Sequence, residues 1–114
     1  MVSVGPGIPR ILERVKALVI KGELRISDHG YDELAADGML VEDALVGIGE
    51  ALLIEDYPSA SKGPTILVLQ RDSSDRPIHV VWGIPTGRDG PAVLVTAYRP
   101  DPARWTSDFK ARRQ

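Results

Sequence analysis

Apolar residues recur along this chain first at helical spacing and then at strand spacing, and the change falls near its middle. Ile8, Ile11, Leu12, Val15, Leu18 and Val19 form one stripe of a 3.6-residue repeat. That stripe predicts a helix opening at Pro9, where a missing N–H costs nothing, and stopping at Gly22. Residues 1–7, with two glycines and a proline, are expected to fray. A second, short helix is predicted from Ser27, which can cap it, with Asp28 at the positive end of its dipole. Ile26 and Tyr31 have the spacing of a hydrophobic staple, and Asp37-Gly38 marks the stop. A third helix carries Val41, Ala44, Leu45 and Ile48 on one face and ends at Gly49.

After Gly49 the period shortens. Residues 51–57 read as a strand and residues 58–64 as a polar loop. Residues 65–70 are an unbroken apolar run, the pattern of a strand buried on both faces. Asp72-Ser73-Ser74-Asp75 is a turn cluster. Two β-branched runs follow, 77–85 and 91–100, around a connection rich in Gly and Pro, which predicts an antiparallel hairpin. With Ile84 placed near Pro91, His79 falls opposite Thr96 and Tyr98 is a diagonal neighbour. Side chains alternate along strands, so one face would carry Ile78, Val80, Trp82, Val93, Val95 and Ala97. The other would carry His79, Val81, Gly83, Leu94, Thr96 and Tyr98. The fold expected is α+β: about three N-terminal helices packed on a four-stranded, mainly antiparallel sheet. It forms a single domain over 1–114 with loose ends at 1–7 and 110–114.

Composition narrows the function. Of the 114 residues 43% are hydrophobic, enough for one core. There is no cysteine, which excludes disulfides and thiolate metal sites. No segment reaches the length of a membrane span and no signal-peptide apolar run opens the chain, so a cytoplasmic location without membrane contact is expected. The net charge of −2 conceals segregation: residues 28–56 hold nine carboxylates and no lysine or arginine, between net basic ends. That layout argues against coating nucleic acid through a broad basic surface but leaves room for a local basic cleft.

Two histidines are present, His29 and His79, and each has a chemical and a structural reading. His29 lies in the first turn of a helix, where the dipole disfavours its protonated form; it serves as a base, or merely caps and packs beside Tyr31. His79 sits on a strand among Ile, Val and Trp. It is either a catalytic group near Tyr98 and Arg99 or a core histidine bonded to a backbone carbonyl. Trp82 is expected in the core, and Trp105 is expected to clamp the C-terminal tail rather than stack on a base. Tyr57 has a packing and a substrate-contacting reading. His29, His79, Asp28 and Glu33 are metal-ligating types, yet no ligand motif such as HExxH is present, so no metal is expected. Without a Walker loop, a GxGxxG stretch or a nucleophile elbow, no cofactor is expected either.

Three short motifs in order carry a resemblance. Ile26-Ser27-Asp28-His29 opening a helix, Pro77-Ile78-His79-Val80-Val81 on a strand, and Thr96-Ala97-Tyr98-Arg99-Pro100 closing the next resemble the bacterial family labelled domain of unknown function 4258. The similarity spans residues 24–100. That family looks like a branch of the RelE/ParE-like toxins, with the wider fold of barnase- and colicin-type ribonucleases. The resemblance implies a toxin of a toxin–antitoxin pair, cleaving RNA without metal, with a cognate antitoxin as partner and a homodimer compatible with it. It carries over His29, His79 and Tyr98 as catalytic candidates. Arg99, Arg104 and Glu33 are the substrate-binding candidates. Such cleavage needs a base, an acid and a cation on the phosphate. One departure stands out: the family usually has an arginine where this chain has Glu33. The alternative is a non-catalytic module of RelE-like fold that binds a protein or nucleic acid.

Overall fold

The computed structural model describes residues 10–114. The expected helix start at Pro9, the stripe position Ile8 and the fraying of 1–7 lie outside them. α1 runs Ile11–Ile20 and buries Val15 and Leu18, with Ile11, Leu12 and Val19 packed at the margin of the same core. α2 runs Asp28–Ala36 and is capped as its sequence predicts: the Ser27 hydroxyl accepts the Gly30 N–H at 2.9 Å. Tyr31, the expected staple partner, is 53% exposed. The third helix divides. α3 covers only Val41–Leu45, with the Asp43 carboxylate accepting the Leu40 N–H, and a separate 3-10 turn follows at Ile48–Glu50.

The sheet has five strands, not four, and it is mixed. β1 (Leu24–Ile26), β2 (Leu52–Tyr57), β3 (Thr65–Arg71), β4 (Pro77–Gly83) and β5 (Ala92–Tyr98) lie in the order β1-β5-β4-β3-β2. β2 through β5 pair antiparallel, and β1 adds parallel to β5 with Leu24, Arg25 and Ile26 opposite Ala92, Val93 and Leu94. Three residues are too few to display an alternation. Their partners lie almost seventy positions downstream, so nothing local signals the strand.

The hairpin register also differs from the expectation. Gly83 pairs with Val93 and Trp82 with Leu94, whereas Val81 pairs with Thr96 and His79 with Tyr98. Val95 is therefore an extra residue with no partner on β4, a β-bulge. A one-residue slip moves a strand's side chains to the other face. Leu94 thus enters the core while Val93 and Val95 stand on the opposite face. The bulge restores the phase beyond it, so Ala97 remains buried.

All three helices cover one face. Val15, Leu34, Met39, Ala44 and Ile48 meet Ile66, Val68, Ile78, Val80, Trp82, Leu94 and Ala97 in one core. α2 comes close because Gly30 has no side chain; a Cβ there would stand 2.9 Å from the Leu94 carbonyl oxygen. Leu67 and Leu69 point away from the helices, yet they too are buried, so β3 is covered on both faces as its apolar run predicts. Residues 101–114 run along that second side, with Trp105 only 4% exposed.

Candidate functional site

His79 projects from β4 to the face opposite the helices and is fully buried. Its Nε2 lies 2.9 Å from the Phe109 carbonyl oxygen and its Nδ1 3.2 Å from the Tyr98 hydroxyl. A carbonyl only accepts, which fixes the tautomer: Nε2–H donates to Phe109, and Tyr98 O–H donates to Nδ1. Both ring nitrogens are thereby used in the neutral form. The Trp105 ring packs edge-on with centroids 4.3 Å apart, and Tyr98 does the same at 5.3 Å. Burial holds His79 below the ordinary histidine range, partly offset by the Phe109 carbonyl, and burial raises Tyr98.

The cover over His79 comes from the C-terminal segment. Phe109 has φ 61°, uncommon for a residue other than glycine, and it is this residue's carbonyl that meets the imidazole. Arg112 stacks 4.7 Å above the Trp105 ring and donates two hydrogen bonds to Glu55, at 2.9 and 3.0 Å. Those bonds hold Glu55 below the usual carboxylate range, and Tyr57, bonded to the same carboxylate, is raised. The Arg113 N–H donates to the Arg104 carbonyl at 2.8 Å. Within the segment expected to be loose, 110–114, Arg112 and Arg113 thus each have hydrogen-bond partners elsewhere in the chain. Trp105 clamps the tail, as its place in the sequence suggested. The signal for that cover is weak in the sequence, because no spacing links Phe109 or Arg112 to His79.

The six candidate residues fall into two groups. His79, Tyr98, Arg99 and Arg104 come together; a surface cavity of about 360 Å³ is lined by Tyr98, Arg99, Asp101, Arg104, Trp105 and Arg112. His29 and Glu33 stay apart from them, facing each other at 3.7 Å one helical turn apart on α2. Contacts at both ends of α2 fix this separation. Ser27, at the start of α2, bonds β5 at Leu94 and Val95, whereas Asp37, at its end, accepts the Arg99 N–H at 2.8 Å. α2 therefore runs alongside β5, with His29 at the Leu94 end and across the sheet from His79. Four strand residues, roughly 13 Å, separate Leu94 from Tyr98.

The cavity's cations are largely spent. Arg99 donates to Asp72 at 2.8 Å and to the Pro77 carbonyl at 3.2 Å, and Arg112 is held by Glu55. Among the described residues, Arg104 alone of the three has no ion pair. Asp72, fixed by the Arg76 and Ser74 N–H groups and by Arg99, sits below the ordinary aspartate range. No three metal-ligating side chains cluster among the described residues. No described helix is long and apolar enough to cross a membrane.

This chain belongs to the family described as a domain of unknown function, DUF4258, whose model matches residues 26–99. The match begins at the last residue of β1 and ends at Arg99, so it takes in α2, His79 and Tyr98 but not the tail that covers them. No curated protein and no solved structure matches the chain.

Proposed function

We propose that this chain is a non-catalytic binding module of RelE-like type that docks a partner protein in the cytoplasm. The observation that carries the reading is the state of His79. A base or acid must exchange a proton with substrate, and this imidazole is fully buried with both nitrogens already bonded inside the protein. His29, the other histidine, is too far away to share its work.

What remains exposed suits a protein partner. β2 is an edge strand, and no described residue pairs with its outer side. Leu52, Leu53 and Tyr57 on it are between 44% and 47% exposed. Such an edge accepts an added strand through main-chain hydrogen bonds, with alternate side chains setting specificity. Glu50 just before β2 and Asp56 on it are acidic and residues 50–57 hold no cation, so the fitting partner is an extended apolar segment with basic flanks. A cognate antitoxin, the partner that the toxin resemblance implies, would dock in this way. An acidic or amphipathic segment docked in a local basic cleft has less support, because Arg99 and Arg112 already have carboxylate partners.

The test is amide exchange of the protein alone and with the partner co-purified from its host. Binding should slow exchange along β2, and Leu52→Lys should weaken the complex at least about tenfold without lowering the melting temperature. Slowed exchange elsewhere, with β2 unchanged, overturns the reading. A ribonuclease reading keeps one observation in its favour: Tyr98 and Arg104 line a cavity beside His79.

A further inference from the structure

A second cavity, of about 300 Å³, opens on the same face as His79 but at the other end of the β4–β5 hairpin. Its floor is one register row across four strands: Arg25 opposite Val93, Val93 opposite Gly83, and Gly83 opposite Thr65. Cross-strand partners share a face, and each of these residues alternates with core neighbours, so all four stand away from the helices. Gly83 makes the hollow. Every other member of the row raises a side chain, while here only the buried backbone of Gly83 lines the cavity, beside Val95, the bulged residue. A Cβ at Gly83 would meet Thr65 Oγ1 at 3.3 Å and Val95 Cγ2 at 3.8 Å, so it would occupy the hollow with little displacement.

The polar groups around the cup differ in whether they are free. The Ser27 hydroxyl donates to the Val95 carbonyl at 2.8 Å, and Thr65 donates to the Gly63 carbonyl at 3.0 Å. Their protons are committed. Arg25 and Lys62 line the same cavity, are exposed, and their side chains form neither hydrogen bond nor ion pair among the described residues. Residues 1–9 contain no Asp or Glu that would neutralise them. A mostly apolar cup with a flat peptide floor and two unneutralised cations is complementary to one chemical class of ligand.

We propose that this cup binds a small organic oxyanion with a flat aromatic body, the ring resting on Gly83 between Val93 and Val95 and the oxyanion held by Arg25 and Lys62. The site is independent of the β2 edge and of the His79 cover.

The probe is 2-naphthoate, titrated into methyl-labelled protein and followed by NMR. The Val93 and Val95 methyl signals should shift along a saturable curve. 2-Naphthamide, the same shape without the charge, should bind at least about tenfold more weakly, and so should the Arg25→Gln/Lys62→Gln variant with 2-naphthoate. Gly83→Val should abolish binding. Should that variant fail to fold, the paired surface substitution and the amide still decide. A parallel titration with 2-naphthyl phosphate separates a carboxylate from a phosphate preference; tighter binding of either, at these methyl groups, supports the site. The proposal is overturned if the methyl signals do not saturate. It is equally overturned if the amide matches the naphthoate, or if neutralising Arg25 and Lys62 leaves the affinity unchanged.

Discussion

His79 is the residue on which sequence and structure bear most directly. Two readings of it were open, and the geometry favours the packing one: its neutral imidazole links β4, Tyr98 and the tail carbonyl of Phe109. The linkage has a pH signature. Burial lowers the folded-state pKa of His79 beneath its ordinary value of 6.5, so as pH falls the unfolded chain takes up that proton first. The stability tied to neutral His79 is present above about pH 6.5 and is lost as pH falls through the folded-state value. Urea midpoints between pH 7.5 and 5.5 should therefore decline in the parent, while His79→Ala should start roughly 1–3 kcal/mol lower and show a flatter profile. Parallel profiles in the two proteins would mean that His79 is not the group responsible. The candidate site was thus half legible in the sequence. Strand alternation placed Tyr98 on the His79 face, though as a diagonal neighbour and not the direct partner it is, and a backbone carbonyl partner was one of two readings of His79; the identity of that carbonyl depends on a tail fold no spacing encodes.

At the scale of elements, α1, α2 and β3 were readable because their signals are local: the α1 stripe, the Ser27 cap and the apolar run of β3. What escaped was non-local. β1 pairs only with Ala92, Val93 and Leu94, which offer it a parallel edge, and Leu94 and Ala97 both face the core only because Val95 bulges out between them. The short α3 followed by a 3-10 turn likewise defeats a reading based on one continuous helical period. α1 supplies the clearest test at this scale. Val15 is fully buried in the core beneath the sheet, so Val15→Asp would bury an unpaired carboxylate. The expected loss is several kcal/mol, on the order of a small domain's whole stability. Thermal denaturation followed by circular dichroism checks it; melting within a few degrees of the parent would make α1 peripheral.

For the whole molecule, the two sheet faces have different roles. The helices seal one with a conventional apolar core. The other is sealed at the His79 end by the tail, through Trp105, Phe109 and the Arg112–Glu55 pair, and left open at the Gly83 end. Arg99, a substrate-binding candidate in the sequence, is instead paired with Asp72, and Arg112 with Glu55. On the reading proposed, one end of the sheet is structural and binding falls to the β2 edge and the open cup. The most direct test of that account is RNA cleavage by purified parent protein and His79→Ala, compared at equal folded concentration. A non-catalytic module predicts the same background cleavage from both. Cleavage that the parent performs and the folded His79→Ala protein has lost would contradict it.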